Sequence, residues 1–143
     1  MDKKKIVVIE DEYSINDGLT FALRREGYDV RSALNGKDGI EIIKDFKPDL
    51  VLLDLMLPDM DGFDICKIIS KDTYVIMLTA RGDIIDKILG LELGADDYIV
   101  KPFEIKEVLV RIKVIFRRGE KRNKLIKNIY LNVVLLIMKY MQS

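Results

Sequence analysis

Several residues with chemically useful side chains directly follow apolar runs. Glu10 and Asp11, with Glu12 behind them, come after Ile6-Val7-Val8-Ile9, and Asp54 comes after Leu50-Val51-Leu52-Leu53. Thr79 and Ala80 follow Val75-Ile76-Met77-Leu78, and Lys101 and Pro102 follow Tyr98-Ile99-Val100. Asp59 and Asp61 lie farther along the segment after Asp54. Carboxylates crowded together repel one another unless a proton or a cation intervenes. Magnesium suits such a set, because it takes oxygen ligands and leaves positions open for water and phosphate. A carboxylate can accept a phosphoryl group as an aspartyl phosphate, provided that a metal, a lysine and positioned donors stabilise the transferring charge. Lys101 supplies the charge, the Thr79 hydroxyl a donor, and the Ala80 N–H a second donor. Taken singly, each has an ordinary reading: a turn aspartate, a Lys-Pro loop, a solvated acidic turn. Only convergence on one rim gives the set a chemistry.

That convergence depends on the elements that carry the residues. Continuous apolar runs of this length suit strands buried on both faces, the habit of parallel sheets covered by helices. A further run, Tyr28 to Ala33, alternates apolar and polar residues and suits an edge strand. Between the runs the spacing turns helical. Ile15, Leu19, Ala22 and Leu23 share one face, with Ser14 and Asp17 placed like a capping box. Ile40 and Ile43 follow the N-cap candidate Asn35; Ile65, Ile68 and Ile69 follow Asp61; Ile84, Ile88 and Leu91 follow Asp83. The last helix is expected over Glu104 to Arg117, with Ile105, Leu109, Ile112 and Phe116 on one side. Alternation of strand and helix predicts an α/β three-layer sandwich with right-handed crossovers. In such sheets ligands bind beyond the carboxyl ends of the strands, where Glu10, Asp11, Asp54, Thr79 and Lys101 stand.

The composition narrows the chemistry. The 143 residues contain no histidine, which removes histidine bases, Ser-His and Cys-His nucleophile pairs and most zinc sites. Any phosphoryl group must therefore come from another molecule if its donor is a phosphohistidine. The single cysteine, Cys66, cannot form an internal disulfide; it is expected in the core, in a protein of the reducing cytoplasm. No secretory signal precedes the first apolar run, and Ile129 to Met138 is too short to span a bilayer, so no membrane partner is expected. The net charge of zero hides an asymmetry. Met1 to Arg118 holds 19 basic and 23 acidic residues, a net of −4, whereas Gly119 to Ser143 holds five basic and one acidic, a net of +4.

The segments VVIEDE, LVLLDLMLPDMDG, VIMLTA and LGADDYIVKPF resemble the receiver domain of two-component response regulators, most closely the OmpR/PhoB class of transcription factors. The resemblance covers Lys3 to about Arg118. It implies a flavodoxin-like (βα)5 fold, a doubly wound parallel five-stranded sheet with strand order 2-1-3-4-5. It also implies that Asp54 is the phosphoacceptor, served by a sensor histidine kinase. By the same resemblance Mg2+ is held by Asp11 directly, by Glu10 through water, by Asp54 and by the backbone carbonyl of Met56. Lys101 matches the phosphate-pairing lysine, and Pro102 stands where the family has a cis peptide bond. Thr79 and Tyr98 match a switch pair whose hydroxyl moves towards the phosphate while the ring turns inward. Met56 and Arg81 match two positions that tune hydrolysis of the phosphoaspartate. One departure is local: the stretch between Gly62 and Thr79 is about two residues shorter than expected, with Tyr74 where proline is common, which suggests a short third helix or a tighter connection.

The resemblance further implies a homodimer through the fourth helix, fifth strand and fifth helix. Its face carries Lys87, Asp96, Asp97, Glu107, Arg111 and Arg118 beside apolar Ile88, Leu91, Val110 and Val114. A mixed charged and apolar patch suits an isologous contact. OmpR/PhoB proteins continue into a winged-helix domain of roughly a hundred residues, whereas 25 residues follow Arg118 here. The expectation is thus a chain truncated after a receiver at 1–118, with a basic linker at 119–124. Residues 125–143 are then the remnant or start of an effector domain that does not fold by itself. Leu125 to Asn132 (LIKNIYLN) resembles its opening strand. DNA is expected as a partner only where a full effector domain is present, because a recognition helix is needed. Two outputs stay open: control of transcription, or a stand-alone receiver acting through protein contacts. Enzyme readings fit poorly. A phosphohydrolase working through an aspartyl phosphate wants a second carboxylate two residues after the nucleophile, where Met56 stands, and a dinucleotide-binding enzyme wants a Gly-rich turn where Glu10-Asp11-Glu12 stands.

Overall fold

The structure, a computed structural model, describes residues 2–80 and 82–142. Strands and helices alternate along the chain: β1 (Lys5–Ile9), α1 (Tyr13–Arg25), β2 (Asp29–Ala33), α2 (Gly36–Phe46), β3 (Leu50–Asp54), α3 (Gly62–Ile69), β4 (Tyr74–Thr79), α4 (Ile84–Glu92), β5 (Asp97–Val100) and α5 (Ile105–Met141). The five strands form one parallel sheet in the order β2-β1-β3-β4-β5. This is the flavodoxin-like arrangement that the sequence implied. The chain divides into two units, Met1–Leu109 and Val110–Ser143, with the division inside α5.

In the first unit the apolar runs become the central strands because both their faces are covered. Val7, Ile9, Val51, Leu53, Val75 and Met77 pack with Phe46 of α2 and with Phe63, Ile65, Cys66 and Ile69 of α3. Strand side chains alternate in direction, so Ile6, Val8, Leu50, Leu52, Ile76 and Leu78 face the other way, and they too are fully buried. Each such side chain contributes about 1.5–3 kcal/mol on leaving water.

Asn35, Asp61 and Asp83 cap α2, α3 and α4 as expected, their side chains accepting from the amides of Asp38, Phe63 and Ile85. The capping box expected of Ser14 and Asp17 does not form. Helix α1 starts two residues earlier, at Tyr13, and its N-cap Glu12 makes no side-chain cap bond. The local reason is the acidic turn: the Glu12 amide donates instead to the carboxylate of Glu10 at 3.0 Å. Helix α3 is short, at eight residues, and the Tyr74 amide donates to the Asp49 carbonyl at 3.1 Å, a bond that proline cannot make.

Of the stripe expected on α3, Ile65 and Ile69 are buried and Ile68 is exposed. On α4, Ile84, Ile88 and Leu91 are exposed, as the place of Ile88 and Leu91 on the expected dimer face requires, and the buried residue is Gly90. One expectation about the last helix needs correcting. The last helix does not stop at Arg117 but runs on to Met141, so Leu125 to Asn132 is helix and not strand. The physical reason is that a helix satisfies its backbone hydrogen bonds within the segment itself, whereas a strand needs a partner strand for them. In α5, Val108, Ile112, Ile115 and Phe116 are buried, while the described residues after Phe116 are exposed or half-exposed.

Candidate functional site

The register brings the candidate residues to one rim. Ile9 lies opposite Leu53, Asp54 opposite Leu78, and Thr79 opposite Val100. Glu10 therefore stands level with Asp54, Thr79 lies one step farther along its strand, and Lys101 two steps farther along its own. All four project beyond the carboxyl ends because every strand runs the same way.

Asp54 is 3% exposed. Its Oδ1 accepts from the Met56 amide at 3.0 Å, and its Oδ2 accepts from Lys101 Nζ at 3.0 Å. Glu10 is fully buried, and its Oε1 pairs with the same Nζ at 2.5 Å. That contact is an ion pair without hydrogen-bond alignment, so Oε1 is a buried side-chain oxygen left without a hydrogen-bond partner. Burial pushes the Glu10 carboxyl up to about 7, although Lys101 pulls it down, and the neighbouring Asp54 adds to the rise. Burial also acts to lower the Lys101 ammonium, but its pairs with Glu10 and Asp54 outweigh this and leave it above the ordinary value. One lysine thus does not satisfy both buried carboxylates.

Asp11, exposed on the solvent side, completes an acidic group. One carboxylate oxygen from each of Glu10, Asp11 and Asp54 lies within 4.8 Å of the others. This all-oxygen donor set, together with the unbonded Oε1 of Glu10, fits a small hard divalent cation. Such a charge would offset the mutual repulsion of the three carboxylates.

Thr79 is fully buried at the end of β4, and its carbonyl accepts from the Lys101 amide at 2.8 Å. The Lys101–Pro102 bond is cis. Tyr98 is buried with its ring turned inward, packed against Gly90 and Phe63. Ala80 is exposed directly after Thr79, and Met56 is exposed two residues after Asp54. Arg81 lies outside the described residues. Beside Lys101 opens a recess bordered by Glu12, Ile15, Gly18, Pro102, Phe103 and Ile105.

Four further residues shape the rim, and sequence reasoning assigned none of them this role. Asn16 is buried in α1, and its side-chain amide donates to the carbonyls of Glu10 and Ala33, both at 3.0 Å. It ties the acidic turn to the ends of β1 and β2. Asp59 accepts from the amides of Gly36 and Lys37 at 2.8 and 2.9 Å, which fastens the loop after Asp54 to the start of α2. These backbone bonds hold its carboxyl below the ordinary value. A Cβ on Gly62 would meet the Asp54 carbonyl oxygen at 2.5 Å and Leu55 Cα at 2.7 Å, so only glycine lets α3 begin so close to the site. A Cβ on Gly90 would meet the Tyr98 ring at 3.2 Å. The available signal for Gly90 was a glycine inside a helix, which costs about 1 kcal/mol and asks for a packing reason.

The expected dimer-face residues are distributed over several elements. Lys87, Ile88 and Leu91 are exposed on α4, and Glu107 is exposed in the first turns of α5. Asp96 accepts from the Val75 amide at 2.9 Å, and Asp97 accepts from the Tyr98 amide at 2.8 Å. Arg111 and Arg118 lie in the second unit.

Comparison with known proteins gives a consistent picture. Residues 6–113 match the family described as the response regulator receiver domain. The receiver domain of a Francisella response regulator is 32% identical with a TM-score of 0.77, over 82% of this chain and 99% of that one. The BeF3-activated N-terminal receiver domain of RstA from Klebsiella pneumoniae is 34% identical with a TM-score of 0.72, over 78% and 97%. DrrB, an OmpR/PhoB homologue from Thermotoga maritima, is 34% identical with a TM-score of 0.76, over 82% of this chain and 54% of DrrB.

Proposed function

The chain belongs to the response regulator receiver family, and on that premise we propose that Asp54 accepts a phosphoryl group from a sensor histidine kinase. The observation that carries this reading is the buried Asp54 carboxylate, 3.0 Å from Lys101 Nζ and within reach of the Glu10 and Asp11 carboxylates. In the reaction, Asp54 forms an O–P bond as the P–N bond of the donor phosphohistidine breaks, and the electron pair leaves with the imidazole. Lys101 holds positive charge against the phosphoryl oxygens, and the Thr79 hydroxyl and Ala80 N–H donate to them. The recess beside Lys101 gives the donor side chain a line of approach.

Mg2+ is the proposed cation, held by Asp11, Asp54, the Met56 carbonyl and, through water, Glu10. When bound it neutralises the carboxylates and the charge of the incoming phosphate. Met56, with Arg81, is proposed to set the lifetime of the phosphoaspartate.

Phosphorylation is a local charge change, so it needs a two-state element to have an effect. Thr79 and Tyr98 are proposed as that element, coupling the site to α4 through the packing of the Tyr98 ring on Gly90. The output is a change in homodimerisation through the Lys87, Ile88, Leu91, Asp96, Asp97 and Glu107 face, with Arg111 and Arg118 as further contacts. Control of transcription is the proposed result, with cytoplasmic location in keeping with a reduced Cys66. The helical form of Leu125–Asn132 favours the alternative output for this chain, signalling through protein contacts without DNA.

The test is incubation with Mg2+ and acetyl phosphate or beryllofluoride, read by intact mass and by sedimentation. Wild-type chain should take up the group and Asp54→Asn should not. Uptake that persists in Asp54→Asn sinks the assignment. Uptake without a change in oligomeric state retains the acceptor and removes the dimer face.

A further inference from the structure

The far end of α5 carries a pattern that the phosphoacceptor reading leaves unused. Ile126, Ile129, Val133, Leu136 and Tyr140 recur at spacings of 3 and 4, with Ile137 beside them, and each is half or more exposed. Lys121, Lys124, Asn128, Asn132, Lys139 and Gln142 form a narrow polar stripe, interrupted at Leu135, and exposed Leu131 and Met138 continue the apolar surface beyond it. After Glu120 the chain holds Lys121, Arg122, Lys124, Lys127 and Lys139 and no acidic residue. The segment is thus a helix that is apolar over most of its circumference and carries cationic charge alone.

A second copy of the helix is a poor cover for that side. In a heptad register with Ile126, Val133 and Tyr140 at one seam position and Ile129 and Leu136 at the other, the flanking positions are Leu125, Tyr130, Asn132, Ile137 and Lys139. They offer no opposite charges to pair two strands, and a copy would set cations against cations. An anionic lipid surface answers both needs, because it buries the apolar side and neutralises the cations. Length is no obstacle. No helix among the described residues is long and apolar enough to cross a membrane, but a helix lying in the interface has no span to fill. The expectation of no membrane partner rested on the lack of a secretory signal and of a spanning segment, and neither bears on a helix lying in the interface.

The geometry points to α5 beyond Glu120 as a surface that docks, flat, on an anionic lipid bilayer. The interaction is independent of the chemistry at Asp54. The full chain should sediment with phosphatidylcholine vesicles containing phosphatidylglycerol at low salt, and should stay in solution with phosphatidylcholine alone. Changing Lys121, Arg122, Lys124 and Lys127 to Gln should weaken partitioning by about fivefold for each cation removed. Val133→Asp with Leu136→Asp should abolish it. All these side chains are exposed, so phosphoryl uptake at Asp54 and the far-ultraviolet helix signal check that each variant remains folded. Absence of binding, or binding indifferent to phosphatidylglycerol and to the four cations, overturns the proposal. So does self-association in lipid-free buffer that the two Asp substitutions remove, because the same face is then covered by a second copy.

Discussion

At the rim of the sheet, Glu10 and Asp54 are buried and share the ammonium of Lys101. Along α5 beyond Phe116, Arg117, Arg118, Lys121, Arg122, Lys124 and Lys127 stand in solvent. The residue types overlap, yet the two regions use charge in different ways. At the rim, low exposure turns neighbouring charges into chemistry: burial lifts Glu10 to about 7 while its partners hold Lys101 above the ordinary value. On the helix, water screens each charge, and what remains is a pattern that a partner can read. Position in the fold, rather than residue type, separates a reacting group from a recognition stripe.

Matched substitutions in the two regions sharpen this contrast. The largest effect is expected from the lysines. Lys101→Met should slow phosphoryl uptake from acetyl phosphate by about 10²–10³-fold, whereas Lys139→Met should leave the rate unchanged; stopped-flow or quenched mass spectrometry compares them. Equal effects would dissolve the distinction.

Leucines come next. Leu52→Ala, in a fully buried strand position, should cost about 2–5 kcal/mol in urea unfolding. Leu136→Ala, an exposed helix position, should stay within about 0.5 kcal/mol.

Asn16→Ala should cost about 1–3 kcal/mol, since it withdraws a donor from the buried carbonyls of Glu10 and Ala33. If Asn16 positions the acidic turn, the same change also raises the Mg2+ concentration needed for half-maximal uptake. A loss of stability with unchanged Mg2+ dependence would reduce Asn16 to a packing role.

The smallest effect concerns Cys66. Burial, with Asp96 nearby, pushes its thiol from an ordinary 9.0 to about 11. A thiol whose folded value is raised stabilises the fold below its unfolded value and loses that contribution as the pH rises through the folded one. At about pH 8 the native thiol should therefore resist alkylation and react only once denaturant opens the core. Rapid native labelling would show that the face between the sheet and α3 is looser than the packing of Cys66 with Phe63 and Ile69 indicates.

Much of the fold was legible because buried parallel strands leave an unmistakable trace. Runs such as Leu50 to Leu53 have no polar side to show, and the caps Asn35, Asp61 and Asp83 act within a few residues of themselves. The residues at the strand ends followed directly. Less legible was what covers α4: periodicity shows that its apolar residues share a side, not whether that side is core or surface. The end of α5 was misread for a related reason. Leu125 to Asn132 suits a strand only when another strand pairs with it, and its backbone bonds are instead made within the helix.

The sequence by itself determined which side chains could meet at the rim, since each directly follows a buried run in a parallel sheet. Tertiary structure decided what those side chains became. The bond from Asn16 to the Glu10 carbonyl spans two elements, the clamp from Asp59 reaches back to α2, and Gly62 is required by a backbone that approaches from β3. None of these is a local preference, so none has a local signature. The position of Glu10 on the pH scale belongs to the same class, because it depends on the water that the packed neighbours exclude.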